Sequence, residues 1–125
     1  MRTREISPDQ WPSFFSDFTR LHTDEHVNVE TVRGGGGVRP RLCDRPLLGI
    51  VPACPARGGG PWIEVVVRGP TGIPATHAIA HASRVRVAEE HDDAVALQVD
   101  SEDGSVTVIR FEPPRENMPR GYTIA

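Results

Sequence analysis

Beyond residue 26 the chain is dominated by short runs in which side chains alternate between two faces with a period of two. The positions that share a face are Val27, Val29 and Thr31, then Ile63, Val65 and Val67, then Val85 and Val87, and finally Val95, Leu97 and Val99. This period is typical of strands with one buried face. The last run leads through "DSEDG" to "SVTVIRF", and two β-rich runs that flank Asp-Gly predict a hairpin. The pattern predicts a mainly antiparallel sheet of about 5–7 strands, which could curl towards a small barrel.

A single segment, "SPDQWPSFFSDFTRLH", predicts a helix. Ser7 can cap its start, and Pro8 suits the first helical position. Five apolar side chains recur at intervals of three and four residues, at Trp11, Phe14, Phe15, Phe18 and Leu21. Such a stripe is typical of a helix that packs on a core, and an exposed stripe that binds a partner is the alternative. One amphipathic N-terminal helix followed by strands indicates an α+β fold.

The length of 125 residues fits a single domain, which we expect over residues 1–112. The tail 113–125 contains three prolines and few apolar side chains, so we expect it to be loosely ordered. No apolar run suits a membrane span or a signal peptide, which predicts a cytoplasmic protein without a membrane partner. The net charge of −3 argues against a nucleic-acid partner.

Motifs of catalysis and cofactor binding are not found in the sequence. There is no G-x-S-x-G nucleophile elbow. The glycine runs 34–37 and 58–60 lack the Gly-Lys-Ser/Thr end of a phosphate loop. All fourteen basic residues are Arg, which excludes chemistry that requires Lys. We therefore assign no catalytic residue, metal ligand or cofactor from motifs.

The stretch "THAIAHASRVRV" places His77 and His81 four residues apart. On a helix this spacing puts both imidazoles on one face, where they could bind one metal ion. On a strand, four residues span about 13 Å, which is too far for one ion to bind both. The alanine-rich sequence permits either structure, but a strand would place His77 and Ile79 on the same face as Val85.

The segment "EEHDDA", residues 89 to 94, surrounds His91 with four carboxylates, including Asp92 and Asp93. Such a group could bind a hard or borderline metal ion. A solvated turn between two strands explains the same composition. The candidate polar site from the sequence thus consists of His77, His81, His91, Asp92 and Asp93.

Several segments together resemble a known family. "HAIAHASRVRV" resembles an H-x-I-x-H-P-x-x-I-x-V segment found in small bacterial proteins grouped as domain of unknown function 5335. "QWPSFFSDFT" is similar to the family's opening aromatic helix, "RPLLGI" and "WIEVVV" to its next strands, and "LQVDSEDGSVTVIRF" to its closing hairpin. These segments agree in order and cover most of residues 5 to 111.

The resemblance has a structural implication at the two histidines. The family commonly has proline where this chain has Ala82, and proline lacks the amide that a helix would require. The resemblance therefore implies a strand, a turn near Ala82 and another strand. No activity is attached to the family, so no site residue can be transferred from it.

Two hypotheses of function follow. The first is a binding or regulatory module that recognises a protein or a small molecule and has no catalytic activity. The alternative is an enzyme or metal-dependent protein that uses His77 and His81 together with the acidic cluster 89–93, because histidine titrates near neutral pH and is a common general base or metal ligand. A homodimer that forms through the sheet or the helix face is a further hypothesis.

Overall fold

The computed structural model describes residues 2–53, 61–91 and 93–112. Its strands are β1 (Arg2–Ile6), β2 (His26–Val32), β3 (Val38–Ala53), β4 (Trp62–Arg68), β5 (Pro74–Ile79), β6 (Ala82–Glu90), β7 (Asp93–Ser101) and β8 (Val106–Glu112). A short 3₁₀ turn, Pro8–Gln10, leads into the helix α1, Trp11–His22. The proposed tail 113–125 lies outside the described residues.

The eight strands form one sheet in the order β1-β6-β7-β8-β2-β3-β4-β5, and every neighbouring pair is antiparallel. Within the described part of the chain, the two outer strands, β1 and β5, do not pair with each other, so the sheet does not close. The predicted α+β class with one N-terminal helix and an antiparallel sheet is confirmed. The sheet has eight strands among the described residues, one more than the upper end of the predicted range of about 5–7.

The core lies between the concave face of the sheet and α1. Its fully buried side chains include Phe15 from the helix and the inward-facing residues of the predicted alternating runs, such as Val29, Val65 and Leu97. The Trp11 indole N–H donates to the backbone oxygen of Ile6 at 2.9 Å, which fixes the start of the helix to the end of β1. Burial of these aliphatic and aromatic side chains supplies the main stabilising free energy of the fold.

Two details of the helix differ from the prediction. The Ser7 side chain makes no capping hydrogen bond, because the chain first forms the 3₁₀ turn and α1 begins only at Trp11. Leu21 belongs to the predicted apolar stripe, yet 68% of it is exposed. Within the described residues, no helix has the length and apolar character needed to cross a membrane.

The segment around His77 and His81 forms two strands, as the resemblance implied. β5 ends at Ile79, Ala80 and His81 form the turn, and β6 begins at Ala82. His81 has a backbone φ of 54°, in the left-handed region that a helix cannot use. The Ala82 N–H donates to the carbonyl oxygen of Pro61 at 3.0 Å, which fastens this turn beside the start of β4. The helical alternative for this segment is therefore wrong.

Candidate functional site

His77 projects from β5 towards the concave face of the sheet. It shares that face with Ala75 and Ile79, and its partner on β4 is the fully buried Val65. The imidazole is half-buried, whereas its strand neighbours Thr76 and Ala78 are exposed. The period-two pattern thus directs one titratable side chain towards the interior.

His77 lines a cavity of about 150 Å³ at one end of the sheet, here called the mouth pocket. Its polar lining includes Thr31, Arg33, Arg41, His77, Asp103 and Thr107. The β5–β6 turn and the β7–β8 turn meet at this end, where the Glu102 N–H donates to the carbonyl oxygen of His81 at 3.0 Å. The pocket is therefore assembled from four separate parts of the chain.

Two threonines place hydroxyl groups at the inner end of the mouth pocket. Thr31 on β2 lies opposite Thr107 on β8, and the two residues are 6% and 2% exposed. The Thr31 hydroxyl accepts a hydrogen bond from Nε of Arg41 at 3.2 Å. This contact orients the Arg41 side chain over the pocket and leaves the outer nitrogens of its guanidinium group available as donors.

The charge at the mouth pocket is locally positive. Among the described residues, no carboxylate forms an ion pair with Arg41 or Arg33. Asp103 is the one carboxylate of the described lining. Its Oδ1 accepts two hydrogen bonds from Ser105, one from the hydroxyl at 2.6 Å and one from the backbone N–H at 2.9 Å. The side-chain hydrogen bond from Ser105, followed by the backbone one, lowers the pKa of Asp103.

The environment of His77 favours the neutral imidazole. Burial lowers the pKa of His77 below its usual value, and the positive charge of Arg41 lowers it further. Because removal from water penalises the charged form, the ring is neutral at neutral pH, with one nitrogen as donor and the other as acceptor. The mouth pocket therefore presents a guanidinium group, hydroxyl groups and a neutral imidazole.

The structure divides the site residues predicted from the sequence between two ends of the sheet. His77 and His81 both line the mouth pocket, although His81 is exposed. His91 and Asp93 line a different cavity of about 380 Å³, here called the hairpin pocket, and Asp92 lies outside the described residues. The nine residues of β6 separate His81 from His91, which corresponds to roughly 30 Å along an extended strand.

This separation bears on the metal hypothesis. Among the described residues, His77 and His81 do not meet the members of the acidic cluster, because the two groups lie at opposite ends of β6. Across residues 2–53, 61–91 and 93–112, no three His, Cys, Asp or Glu side chains are grouped closely enough to hold a metal ion.

The hairpin pocket contains a pair that the sequence did not reveal. His22, at the end of α1, makes a hydrogen bond between its Nδ1 and Oε2 of Glu25 at 2.9 Å. The His22 ring stacks on Phe18 with a centroid distance of 4.2 Å and lies 5.5 Å from Phe111. These contacts hold the last turn of the helix against β8. In the sequence, the only indication of the His22–Glu25 pair was the three-residue spacing of the two residues.

Arg41, Thr31 and Thr107 were also absent from the predicted site. The signal for Thr31 was present, since it shares a strand face with the core residues Val27 and Val29. A polar side chain at such an inward position requires a hydrogen-bond partner. The identity of that partner, Arg41, depends on the pairing of β2 with β3 and on a β-bulge between them, neither of which the sequence pattern specifies.

The comparisons with known proteins agree with the resemblance noted from the motifs. No curated protein and no solved structure matches the chain. The model of the family of unknown function DUF5335 matches residues 2–120, and the protein therefore belongs to that family.

Proposed function

We propose that the protein is a binding module that holds a small anion in the mouth pocket. The observation that carries this proposal is the Arg41 guanidinium group, which Thr31 holds over a cavity and which has no carboxylate partner among the described residues. Guanidinium groups bind carboxylates and phosphates through two parallel charge-assisted hydrogen bonds. A net charge of −3 on the whole chain makes a cationic pocket a local feature rather than a general property of the surface.

The other groups of the mouth pocket complement the same ligand. The hydroxyls of Thr31 and Thr107 can donate to an oxyanion, and so can one nitrogen of the neutral His77. The single negative charge of Asp103 is outnumbered by the guanidinium groups of Arg33 and Arg41, and the charge of Arg33 acts on Asp103. The volume of about 150 Å³ lies below the range of about 300–1,000 Å³ that accommodates drug-sized ligands. A small oxyanion or a short carboxylate fits this space.

The metal-dependent enzyme is the weaker of the two hypotheses. It requires the acidic cluster 89–93 to act with His77 and His81, and β6 holds these groups apart. The binding hypothesis needs only residues that already meet in one cavity. This difference supports a binding function.

The proposal is tested by calorimetric titration of the protein with sulfate and, separately, with acetate at matched ionic strength. We expect one site, and we expect Arg41→Gln to weaken binding by at least about tenfold, because a hydrogen bond to a charged group contributes about 1.5–3 kcal/mol. Arg68→Gln is the matched control. It removes the same charge from β4, where Arg68 lies 3.9 Å from Asp24 and is not part of the pocket lining.

Two results would contradict the proposal. One is the absence of saturable binding of either anion by the wild-type protein. The other is an equal loss of binding in the Arg41 and Arg68 variants, which would indicate attraction to overall charge rather than a site.

A further inference from the structure

We infer that the mouth pocket takes up a proton together with its anion and that His77 accepts this proton. The inference rests on the anion binding proposed above and adds how that binding is regulated. It makes the affinity of the pocket depend on pH.

The geometry places the proton acceptor beside the anion. His77 on β5 and Arg41 on β3 line the same cavity. The positive charge of Arg41 disfavours the imidazolium form of His77. An anion bound to Arg41 cancels that charge and adds a negative one next to His77. The imidazolium form then gains an opposite charge and a second N–H donor for the ligand.

The remaining charges around His77 do not compensate for this change. Arg33, which follows β2, adds a second guanidinium group to the lining. Asp103, in the β7–β8 turn, stays ionised because its hydrogen bonds to Ser105 lower its pKa. On the β4 side the partner of His77 is the apolar Val65. His81, in the β5–β6 turn, is the other histidine of the described lining, and it is exposed.

The direction of the pH dependence follows from linkage. Without the anion, the pKa of His77 lies below 6.5. With the anion bound, the pKa of His77 is higher. Between these two pKa values binding takes up a proton, so affinity increases as pH falls, by at most about tenfold per pH unit for one proton. Above both values Arg41 and the hydroxyls hold the anion without proton uptake.

Sulfate is the probe that tests this inference, because it remains a dianion between pH 5 and 8 and every proton exchanged then comes from the protein or the buffer. Titration calorimetry in two buffers of different ionisation enthalpy counts the protons taken up. We expect uptake approaching about one proton per sulfate in the window between the two pKa values. Nitrogen NMR of the wild-type imidazoles should show a higher pKa of His77 in the presence of sulfate.

Two variants separate the histidines. His77→Gln replaces the imidazole with an amide that does not titrate, so the sulfate that this variant binds should come without proton uptake and with little dependence on pH. His81→Gln should retain the proton uptake and the pH dependence of sulfate binding. Proton uptake that survives in His77→Gln, or that disappears in His81→Gln, would overturn the inference.

The failure of this inference is distinguishable from the failure of the proposed function. Sulfate binding by the wild-type protein with no proton uptake and an unchanged pKa of His77 would overturn the proton coupling alone. The absence of binding of both sulfate and acetate at every pH would overturn both.

Discussion

At the scale of single residues, a shared helical face does not determine burial. Phe15 and Leu21 both belong to the apolar stripe of α1, but Phe15 is 0% exposed and Leu21 is 68% exposed. The sequence period predicted the face correctly. It could not predict that Leu21 stays exposed while His22, in the same turn, packs on Phe18 and Phe111, because that depends on where β8 lies against the helix.

The contrast between these two residues gives a stability prediction. We expect Phe15→Ala to lower the free energy of unfolding by about 3–5 kcal/mol, since it leaves a cavity in the centre of the core. Leu21→Ala on the same helix should change it by less than about 0.5 kcal/mol. Urea denaturation followed by circular dichroism measures both. Comparable losses in the two variants would show that Leu21 is covered in solution.

At the scale of elements, α1 takes the place of a strand beside the second half of β3. β3 is sixteen residues long, and it pairs with β2 only up to Pro46. Beyond that point, Thr19 of the helix accepts the Ile50 N–H at 3.0 Å and donates to the Ile50 carbonyl oxygen at 3.3 Å. The Leu47 N–H donates to the carbonyl oxygen of Glu25 in the same way, at 2.8 Å. The helix and the loop after it therefore satisfy the strand edge that β2 leaves open.

This role of Thr19 is testable by an isosteric change. Thr19→Val should lower the free energy of unfolding by about 1–3 kcal/mol, because it leaves the N–H and the carbonyl of the buried Ile50 without these partners. Ser16→Ala, at an exposed position of the same helix, is the control and should have little effect. Faster amide hydrogen exchange at Ile50 in the Thr19 variant, measured by NMR, would identify the cause. An unchanged exchange rate at Ile50 would contradict it.

Local signals explain which elements the sequence predicted and which it did not. The helix, the β7–β8 hairpin and the alternating strands carry their signals within a few residues. β1 does not, because "RTREI" contributes only one buried side chain, Ile6. The segment is a strand because it pairs with β6, for example between Arg2 and Glu89. The local sequence pattern does not indicate this pairing, because β6 is distant along the chain.

At the scale of the whole molecule, the mouth pocket is a product of topology. Its lining residues are widely spaced along the chain and include Thr31 and Thr107. These two residues lie opposite each other only because β8 pairs with β2. The sequence identified His77 and His81 as candidate residues. It could not predict that Arg41 lines the same pocket, nor that His91 lies at the other end of the sheet, because both facts depend on strand order.

The pocket also makes global stability depend on pH. Since the pKa of His77 is lower in the folded protein than its usual value of about 6.5, the unfolded chain binds the proton more readily. The contribution of His77 to stability is therefore present above about pH 6.5 and is lost as pH falls towards the folded-state pKa.

Urea unfolding of wild-type protein and His77→Gln between about pH 5 and 8 isolates this contribution. We expect the difference in stability between the two proteins to change with pH in the direction given above, with the wild type losing more on acidification. A difference that stays constant across this range would contradict the lowered pKa of His77.

The open sheet has a consequence for how copies of the molecule meet in solution. Unpaired outer strands can recruit strands of other molecules and so begin aggregation. β1 counters this with the exposed charges of Arg2, Arg4 and Glu5, which would have to lose their hydration before another strand could join. β5 is only six residues long and begins with Pro74, which has no N–H to offer a neighbour. The two edges thus resist sheet extension by different chemistry, one by charge and the other by a missing donor.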